Sequence, residues 1–352
     1  MGYTIKTATF NAGNNNLDAT AVGNIVAALG VVDVADADKP DVICFSFQEA
    51  QNSWGGQNLG ERVAKRIEGY TLVYNNSFRA MTKPGFPNKV GTAVLVKNDK
   101  LDEIAVIEGR SGSIRGVNGF GDINKGGQAI KLRMGDKHVG ILSGHLSSHT
   151  RAQRQETVKQ MKAHFKEKEV DGMILMGDLN ERLSDREDVS ALENDLNGQD
   201  APRLIAQYDP LTSGDGVFGD FLFAQASEFT YEKRNKQGEI KRSNDPDCPY
   251  KVGVLDNIGI SGDHWKNADD DNNLQVHKIE NKDTEDASDH KMASRSLSFD
   301  SALAADDKQR IKNKIECRAL NGQFKLGLFG SRYKISIEGR DYEVPRRVVT
   351  AP

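Results

Sequence analysis

The stretch at residues 173–180 constrains the fold of this chain more than any other. It reads Met-Ile-Leu-Met-Gly-Asp-Leu-Asn, a continuous apolar run that stops at a Gly-Asp pair. Such a run predicts a strand buried on both faces, as in α/β proteins whose sheets are covered by helices. Strands of this kind deliver polar residues to the carboxyl edge of the sheet, where α/β proteins bind their ligands. Asp178 and Asn180 are therefore candidate site residues, although Asp and Asn are also ordinary turn formers.

Composition and charge are those of an ordinary α/β protein, with no global attraction to polyanions. The 352 residues carry a formal net charge of -4 and the pI is about 6.0, so any bound polyanion would need a local basic patch. The three cysteines are far apart and predict neither a disulfide framework nor a Cys-x-x-Cys metal pair. The most apolar stretch, residues 21–35, contains Asn24 and Asp33 and is too short to span a bilayer. We therefore expect no transmembrane segment.

Apolar patterns predict strands and helices in an order typical of an α/β domain. Strands are expected at residues 3–10, 42–47, 70–74, 90–97, 103–108, 128–134, 138–143, 173–176, 228–231, 252–260 and 291–298, and helices at 17–29, 60–68 and 150–168. Residues 109–127 are expected to form a long glycine-rich loop without the nucleotide P-loop pattern. Residues 180–199 are expected to form a helical excursion.

Two further segments stand apart from this pattern. The loop predicted at residues 78–89 carries Phe78, Met81 and Phe86, which could form a lid or a membrane-touching lip, or fold back onto the domain. After residue 300 the pattern changes to a short helix at 306–318 and a hairpin at 324–344.

Polar residues of catalytic type lie at or near the ends of the predicted strands. They are Asn11, Glu49, His145, Asp178, Asn180, Asp256, Asp289 and His290. A carboxylate that accepts a proton from water, beside an amide that hydrogen-bonds an anion, suits attack on a phosphate ester. Mg²⁺ prefers oxygen ligands, and Glu49 with Asn11 meets that need, whereas zinc fits poorly because the sequence has no Cys cluster and no His-Glu-x-x-His. Each residue alone could be a core histidine or a turn cap, but together they favour a site.

Five short motifs occur in an order that resembles the endonuclease/exonuclease/phosphatase superfamily. They are Thr-Phe-Asn at residues 9–11, Phe-Gln-Glu at 47–49, Ser-Gly-His at 143–145, Gly-Asp-Leu-Asn at 177–180 and Ser-Asp-His at 288–290. The resemblance implies a four-layer α/β sandwich, in which two mixed β-sheets are flanked by helices. We assign residues 1–300 to this catalytic domain and residues 301–352 to a C-terminal extension of unknown role.

Within that superfamily the details resemble the inositol polyphosphate 5-phosphatases. The strings that carry this resemblance are Asn-Lys-Gly-Gly at 124–127, His-Leu-Ser-Ser-His at 145–149 with Arg151 and Arg154 beyond it, Gly-Asp-Leu-Asn-Glu-Arg at 177–182, and Ser-Asp-His-Lys at 288–291. Two motifs depart from the family. Where it has Trp-Cys-Asp-Arg-Ile-Leu, residues 254–259 read Val-Leu-Asp-Asn-Ile-Gly, and where it has Pro-Thr-Tyr-Lys, residues 229–232 read Phe-Thr-Tyr-Glu. The resemblance therefore bears more on catalysis than on the phosphate pattern of the substrate.

The resemblance implies Mg²⁺-dependent removal of a phosphate, in particular the 5-phosphate, from a phosphoinositide or a soluble inositol polyphosphate. Glu49, helped by Asn11, would hold the Mg²⁺ ion. Asp178 would orient and deprotonate the attacking water, while Asn180 and His145 would hydrogen-bond the reacting phosphoryl group.

The remaining roles implied by the resemblance concern the second histidine and the cations. Asp289 would fix the tautomer of His290, which would contact phosphate or metal, and Asp256 would support a histidine. Other substrate phosphates would be bound by residues that could equally be solvated surface groups. They are Lys125, His149, Arg182, Lys233 and Lys251.

Three rival functions stay open. A nuclease of the same superfamily should present a basic stripe, and the pI together with the acidic residues 269–271 disfavours nucleic acid as a partner. A sphingomyelinase-like phosphodiesterase is a second rival. A catalytically inactive binding module is a third, although the intact set of polar residues argues against it.

Location follows from the start of the chain and from the implied substrate. The first residues enter a strand pattern directly, so we expect no signal peptide and a cytoplasmic protein, with peripheral membrane contact if the substrate is a lipid. Myristoylation is not expected, because Lys6 stands where the acceptor pattern has Ser or Thr. If the source is a bacterium, we expect delivery into a host cell, since phosphoinositides are mainly eukaryotic lipids.

Overall fold

A computed structural model describes most of the chain. The described residues are 2–50, 57–79, 89–115, 125–165, 170–184, 196, 201–212, 217–237, 239–245, 248–266, 274–282, 286–300, 332–337 and 340–345. The helix predicted at 306–318 lies outside them, as do most of the loop predicted at 78–89 and most of the excursion predicted at 180–199.

The first third of the chain alternates strands with two helices. The elements are β1 (Gly2–Asn11), α1 (Ala19–Leu29), β2 (Val42–Gln48), α2 (Leu59–Ala64), β3 (Tyr70–Arg79) and β4 (Lys89–Lys97), with 3₁₀ turns at Asp36–Asp38 and Asn98–Lys100. Helix α1 begins where the Asp18 carboxylate accepts the Ala21 N–H and ends at Gly30, whose φ of 64° suits a residue without a Cβ.

The rest of the chain contributes longer strands first and short ones later. The elements are β5 (Ile104–Arg115), β6 (Gly126–Met134), β7 (Lys137–His145), α3 (Arg151–Lys162), β8 (Gly172–Asp178), α4 (Ala201–Tyr208), β9 (Leu222–Phe223), β10 (Tyr231–Glu232), β11 (Val252–Gly253), β12 (Asp256–Ser261), β13 (Trp265–Lys266), β14 (Gln275–His277), β15 (Met292–Asp300), β16 (Arg332–Ile337) and β17 (Arg340–Pro345). The last two strands form the hairpin predicted near the C-terminus.

The strands form two large mixed sheets. The first sheet has the order β13-β15-β1-β2-β4-β3, with β14 also paired to β15, and the second has the order β5-β6-β7-β8-β12-β9. Strands β1 and β2 run parallel, as do β7 and β8, while the other neighbours are antiparallel. The carboxyl ends of β1, β2, β7 and β8 carry four of the candidate residues identified from the sequence, which are Asn11, Glu49, His145 and Asp178.

The two sheets pack face to face, and helices cover their outer faces. One buried cluster lies between the sheets and joins residues such as Ile5 and Val94 of the first to Ile141 and Ile174 of the second. A second cluster packs α1 and α2 on the first sheet, and a third packs α3 on the second. The predicted four-layer α/β sandwich is confirmed, and burial on both faces explains the apolar runs at residues 42–45 of β2 and 173–176 of β8.

Several element predictions need correction. The helix expected at 60–68 ends at Ala64, and the strand expected at 228–231 is the short β10 at Tyr231–Glu232. Residues 109–115 were expected in a loop but continue strand β5, whose pairing with β6 shifts register between Arg110 and Ile114; irregular pairing of this kind accommodates glycines within a strand. The strand expected at 252–260 is divided after Gly253, where φ is 158° and the backbone passes close to Arg182. Helix α3 starts at the predicted Thr150 cap but ends at Lys162. The division of the chain at residue 300 stays a prediction.

Candidate active site

Three polar residues lie side by side across the second sheet. Asp178 at the end of β8 is paired in register with His145 of β7 on one side and with Asp256 of β12 on the other. The Nε2 atom of His145 is 3.1 Å from Asp178 Oδ2, and all three side chains are buried. The apolar strand at 172–178 therefore delivers Asp178 to the centre of the row.

Gly177 lets this row form. Its φ is 145°, and a Cβ added there would stand 1.9 Å from the carbonyl oxygen of Gly144. Strands β7 and β8 can therefore approach this closely only if the residue before Asp178 has no side chain.

The first sheet contributes Asn11 directly opposite. The amide nitrogen of Asn11 donates to Asp178 Oδ2 at 2.8 Å, and its oxygen accepts the Gly13 N–H at 2.9 Å. Asn11 thus orients the carboxylate, and direct help to Glu49 in metal binding stays a prediction. Its own backbone is held by the Ser288 hydroxyl, which donates to Asn11 O at 2.7 Å.

A buried polar layer joins the two sheets beneath the site. Gln48 Nε2 donates to the Ser46 hydroxyl, and Ser46 bonds Ser143 of the other sheet, each at 2.6 Å. These residues are fully buried, so their hydrogen bonds are worth more than in water. The layer fixes the end of β2 relative to the end of β7.

Glu49 follows β2 in a left-handed conformation, with φ of 51°. One of its oxygens accepts from the amide of Asn14 at 2.8 Å, and the other is 3.9 Å from His145 Nε2. Glu49 therefore faces the same region as Asp178. We call the group formed by Asn11, Glu49, His145 and Asp178 the centre.

This donor set fits a hard divalent cation. Within the described ranges no group of three or more His, Cys, Asp or Glu side chains is arranged to enclose a metal ion. Mg²⁺ does not need such a group, because it keeps several of its waters and often binds one or two carboxylates. Glu49 and Asp178 supply two.

Asp178 is held in its ionised form. Burial opposes the charge, but His145 Nε2, which is in contact with the carboxylate, and the more distant His290 and Lys125 lower the pKa of Asp178 well below its usual range. The Lys125 ammonium also contacts His145 Nε2 directly. Lys125, predicted to bind substrate, thus lies at the centre.

His290 is partnered by Asp256 rather than by Asp289, and this corrects the predicted role of Asp289. The Nδ1 atom of His290 is 2.7 Å from Asp256 Oδ2. Asp289 is exposed instead, with Oδ2 3.6 Å from the Lys233 ammonium. Burial favours the neutral ring, but Asp256 outweighs it and raises the pKa of His290 to about 9. The prediction that Asp256 supports a histidine is confirmed.

Asn180 and Arg182 form a pair just beyond β8. Asn180 has φ of 55°, donates from Nδ2 to Leu146 O at 3.0 Å, and accepts on Oδ1 from Arg182 Nη2 at 3.0 Å. The sequence left Arg182 as either a substrate-binding residue or a solvated surface cation; it is only 6% exposed, so it is not a solvated surface cation. Among the described residues its Nε and Nη1 have no hydrogen-bond partner, so they suit an anion.

A buried ionic network supports this loop from below and was not anticipated from the sequence. Arg154 binds Glu181 and Asp245, each at 2.7 Å, and Arg151 binds Glu181 at 3.2 Å. Glu181 stands between Asn180 and Arg182 in the chain, so the network fixes the loop that carries both. The sequence did contain a signal for this network. Glu181 lies within the Gly-Asp-Leu-Asn-Glu-Arg string, Arg151 and Arg154 follow the preceding motif, and a glutamate that is buried needs a charged partner.

Comparison with known proteins decides the family. A family model described as Endonuclease/Exonuclease/phosphatase family 2 matches residues 8–294. This chain belongs to the endonuclease/exonuclease/phosphatase family. A search of curated proteins finds no match. Membership makes the chain a hydrolase, and enzymes of this family generally depend on a divalent metal ion.

Solved structures with this fold have diverse functions. The inositol polyphosphate 5-phosphatase domain of SPsynaptojanin, in complex with inositol (1,4)-bisphosphate and a calcium ion, aligns with a TM-score of 0.57 and 17% identity over 92% of this chain and 90% of that chain. The ferrous NO complex of Cimex nitrophorin aligns with a TM-score of 0.50 and 14% identity over 85% of this chain and 99% of that chain. At such identities the likeness shows the fold alone, so function has to be argued from the site.

A cluster of cations lies beside the centre of this endonuclease/exonuclease/phosphatase family member. Backbone hydrogen bonds align the segments of Lys233, Lys241 and Lys251 at 2.8–2.9 Å. Partial burial, with Lys233, Arg182 and Lys241 nearby, lowers the pKa of Lys251. Lys241 was missed because the pairing of such short segments leaves little pattern in the sequence. His149, by contrast, is exposed in the turn before α3, and its substrate-binding role stays a prediction.

A cleft of about 810 Å³ opens next to Asp289. Its floor includes apolar side chains such as Leu204 and Phe229, and its rim carries Glu228 and Lys291, which pair at 2.6 Å. None of the helices within the described ranges combines the length and the hydropathy that a membrane span requires.

Proposed function

We propose that this protein is a Mg²⁺-dependent phosphatase that removes a phosphate, in particular the 5-phosphate, from a phosphoinositide or a soluble inositol polyphosphate. The observation that carries the proposal is the combination of a buried hydrolytic centre with a cation cluster beside it. A centre of this kind suits attack on one phosphate, and the adjacent cations suit recognition of others on the same small molecule.

The residues of the centre can position the attacking water. Asp178 stays ionised at neutral pH and can accept a hydrogen bond from water, while Asn11 holds the carboxylate in place. A lowered pKa also makes Asp178 a weak base, so orientation of the water is the larger part of its contribution. Mg²⁺ bound at Glu49 would neutralise charge on the phosphoryl oxygens.

Donors on both sides would stabilise the reacting phosphoryl group. Asn180 uses one amide hydrogen for Leu146 O and retains the second for a phosphoryl oxygen. His145 and the charged His290 would act from either side of Asp178. Fixed donors aimed at developing charge supply most of the rate in phosphoryl transfer.

The cation cluster supports a substrate with several phosphates. Arg182, which borders the cluster, offers two buried donors close to Lys251 of the cluster. Repulsion among these cations is relieved when an anion binds between them, which favours a polyphosphorylated ligand. Tyr231 stacks on His290 with ring centroids 4.6 Å apart and would form one wall of the same subsite.

A substrate panel tests the proposal. Phosphate release would be measured from phosphoinositides and soluble inositol polyphosphates, with Mg²⁺ or with chelator, alongside plasmid DNA and sphingomyelin. We expect Mg²⁺-dependent release only from compounds with a 5-phosphate. Cleavage of DNA or sphingomyelin without such release would replace the proposed substrate class with a nuclease or a phosphodiesterase. Cytoplasmic location and peripheral membrane contact remain part of the proposal.

A further inference from the structure

Left-handed backbone conformations concentrate around the site. In the described ranges four residues other than glycine have positive φ: Asn14 at 62°, Asp33 at 60°, Glu49 at 51° and Asn180 at 55°. Three of them surround the centre, and Asp33 lies in an exposed loop before β2. Such conformations are uncommon for residues with a side chain and persist where surrounding contacts hold them.

Asn14 belongs to a tight turn that is fastened to the Glu49 segment. Gly13 and Asn14 are its central residues, both with positive φ, and the Asn15 N–H closes it on Ala12 O at 3.0 Å, as in a type I′ turn. The Asn14 N–H then donates to the backbone oxygen of Glu49 at 3.0 Å. The turn after β1 is therefore joined to the backbone of Glu49 by a direct hydrogen bond.

The side chain of Asn14 makes a second link. Its Nδ2 donates to Glu49 Oε2 at 2.8 Å, while Glu49 Oε1 faces His145 Nε2 at 3.9 Å. One carboxylate oxygen is thus fixed and the other is directed toward the centre. A glutamate side chain loses considerable rotamer freedom on being ordered, and Asn14 imposes that order in advance.

We propose that Asn14 is a positioning residue that orients the Glu49 carboxylate for a divalent cation. The inference rests on the proposed function, because it takes Glu49 as the ligand of that cation. Groups that hydrogen-bond a metal ligand typically contribute about 10- to 100-fold to metal affinity.

The alternative is that Asn14 is needed only for the backbone conformation of the turn, since Asn tolerates positive φ better than most residues. Asn14→Gly separates the two roles, because Gly adopts the same backbone at no steric cost but has no amide. Asp33→Gly is the matched control, a substitution of the same kind at an exposed loop position with nearly the same φ. Glu49→Gln reports whether Glu49 is a ligand at all.

The experiment measures binding of Mg²⁺ alone to the full-length protein by calorimetry, and the rise in unfolding temperature that Mg²⁺ produces. We expect Asn14→Gly to bind Mg²⁺ about 10- to 100-fold more weakly, with an unchanged unfolding temperature in metal-free buffer. Phosphate release by this variant should recover at saturating Mg²⁺. Asp33→Gly should match the wild type in all three measurements.

Two results would overturn the inference, and they differ in what they leave standing. If Glu49→Gln loses Mg²⁺ binding while Asn14→Gly keeps it, Glu49 is the ligand, the proposed function survives and Asn14 is only a turn residue. If Glu49→Gln binds Mg²⁺ like the wild type, the proposed metal site is wrong and the inference falls with it.

Discussion

The catalytic centre and the cation cluster next to it are built in opposite ways. The centre stands on long strands of two packed sheets, and its residues Asp178, His145 and Asn11 are at most 2% exposed. The cluster stands on short segments around β10 and β11, and Lys233 and Lys241 are exposed. Under the proposed function, the position of the reacting phosphate would be fixed by the core of the fold, whereas the choice of substrate would depend on side chains that can change at little cost to stability.

The largest expected effect comes from the centre. Asp178→Asn keeps the shape of the side chain but removes its charge and its ability to accept a proton. We expect kcat to fall by roughly 100- to 10,000-fold, the usual contribution of a positioned acid or base. Circular dichroism would check folding, and a folded variant that retains wild-type phosphate release would show that the centre lies elsewhere.

His290, which lies just before β15, should give the next largest effect. Its raised pKa, about 9, means that His290 is protonated below that pH and loses its charge as pH rises through it. We expect kcat/KM to decline above about pH 9 in the wild type. In Asp256→Asn the partner charge is gone and burial favours the neutral ring, so the decline should begin at lower pH. A pH profile identical in both proteins would contradict the assignment of Asp256 as the partner.

Substitution of a lysine in the cation cluster should weaken substrate binding and leave the rate of the chemical step nearly unchanged. Lys251→Ala removes one cation of the group, and we expect KM to rise about tenfold, the equivalent of one charge-assisted hydrogen bond. The value of kcat should change little. Because Lys251 is partly exposed, the difference should shrink at high salt. A fall in kcat with constant KM would place Lys251 among the residues that act on the reacting phosphate.

The smallest effect on activity is expected at Asp209, a buried carboxylate that belongs neither to the centre nor to the cluster. Asp209 is 1% exposed, and burial raises its pKa to about 7 even though it accepts hydrogen bonds from Leu211 and Thr212. The folded protein therefore holds this proton more tightly than the unfolded chain, so the stability contribution is present below about pH 4 and is lost as pH rises to about 7.

Asp209→Asn should remove this pH-dependent loss of stability, because the amide of asparagine stays neutral at every pH. We expect the free energy of unfolding of the variant, measured in urea, to decline less than that of the wild type between about pH 4 and pH 7. Phosphate release should be unchanged. Parallel stability curves for the two proteins would show that the buried acid is compensated by other groups.

The centre was largely predictable from the sequence, whereas the cluster was predicted only in part, because Lys233 and Lys251 were named as candidate substrate-binding residues and Lys241 was not. Strand ends are marked by apolar runs that stop at polar residues, so Asn11, Glu49, His145 and Asp178 could be identified one strand at a time. Their convergence then follows from parallel pairing, which brings carboxyl ends to one edge.

The errors arose where spatial neighbours are distant in sequence. Asp289 is adjacent to His290 in the chain, yet the imidazole of His290, which precedes β15 of the first sheet, bonds Asp256 at the start of β12 in the second sheet. The burial of Arg182 could not be decided from the sequence, because its neighbour Asp245 lies far along the chain although the two side chains are 4.0 Å apart. Lys241 depends on the register of very short segments, which hydrophobic periodicity does not report.

We propose that the centre hydrolyses one phosphate of the substrate while the cation cluster recognises its other phosphates. The most direct test compares kcat/KM for an inositol phosphate that carries a phosphate beside the scissile one with kcat/KM for the same compound without it. The ratio would be measured in the wild type and in a variant with Lys241→Ala and Lys251→Ala. We expect a high ratio in the wild type and a much lower ratio in the variant, because only the compound with the extra phosphate loses rate. Equal losses on both compounds would contradict it and assign the lysines to the reacting phosphate.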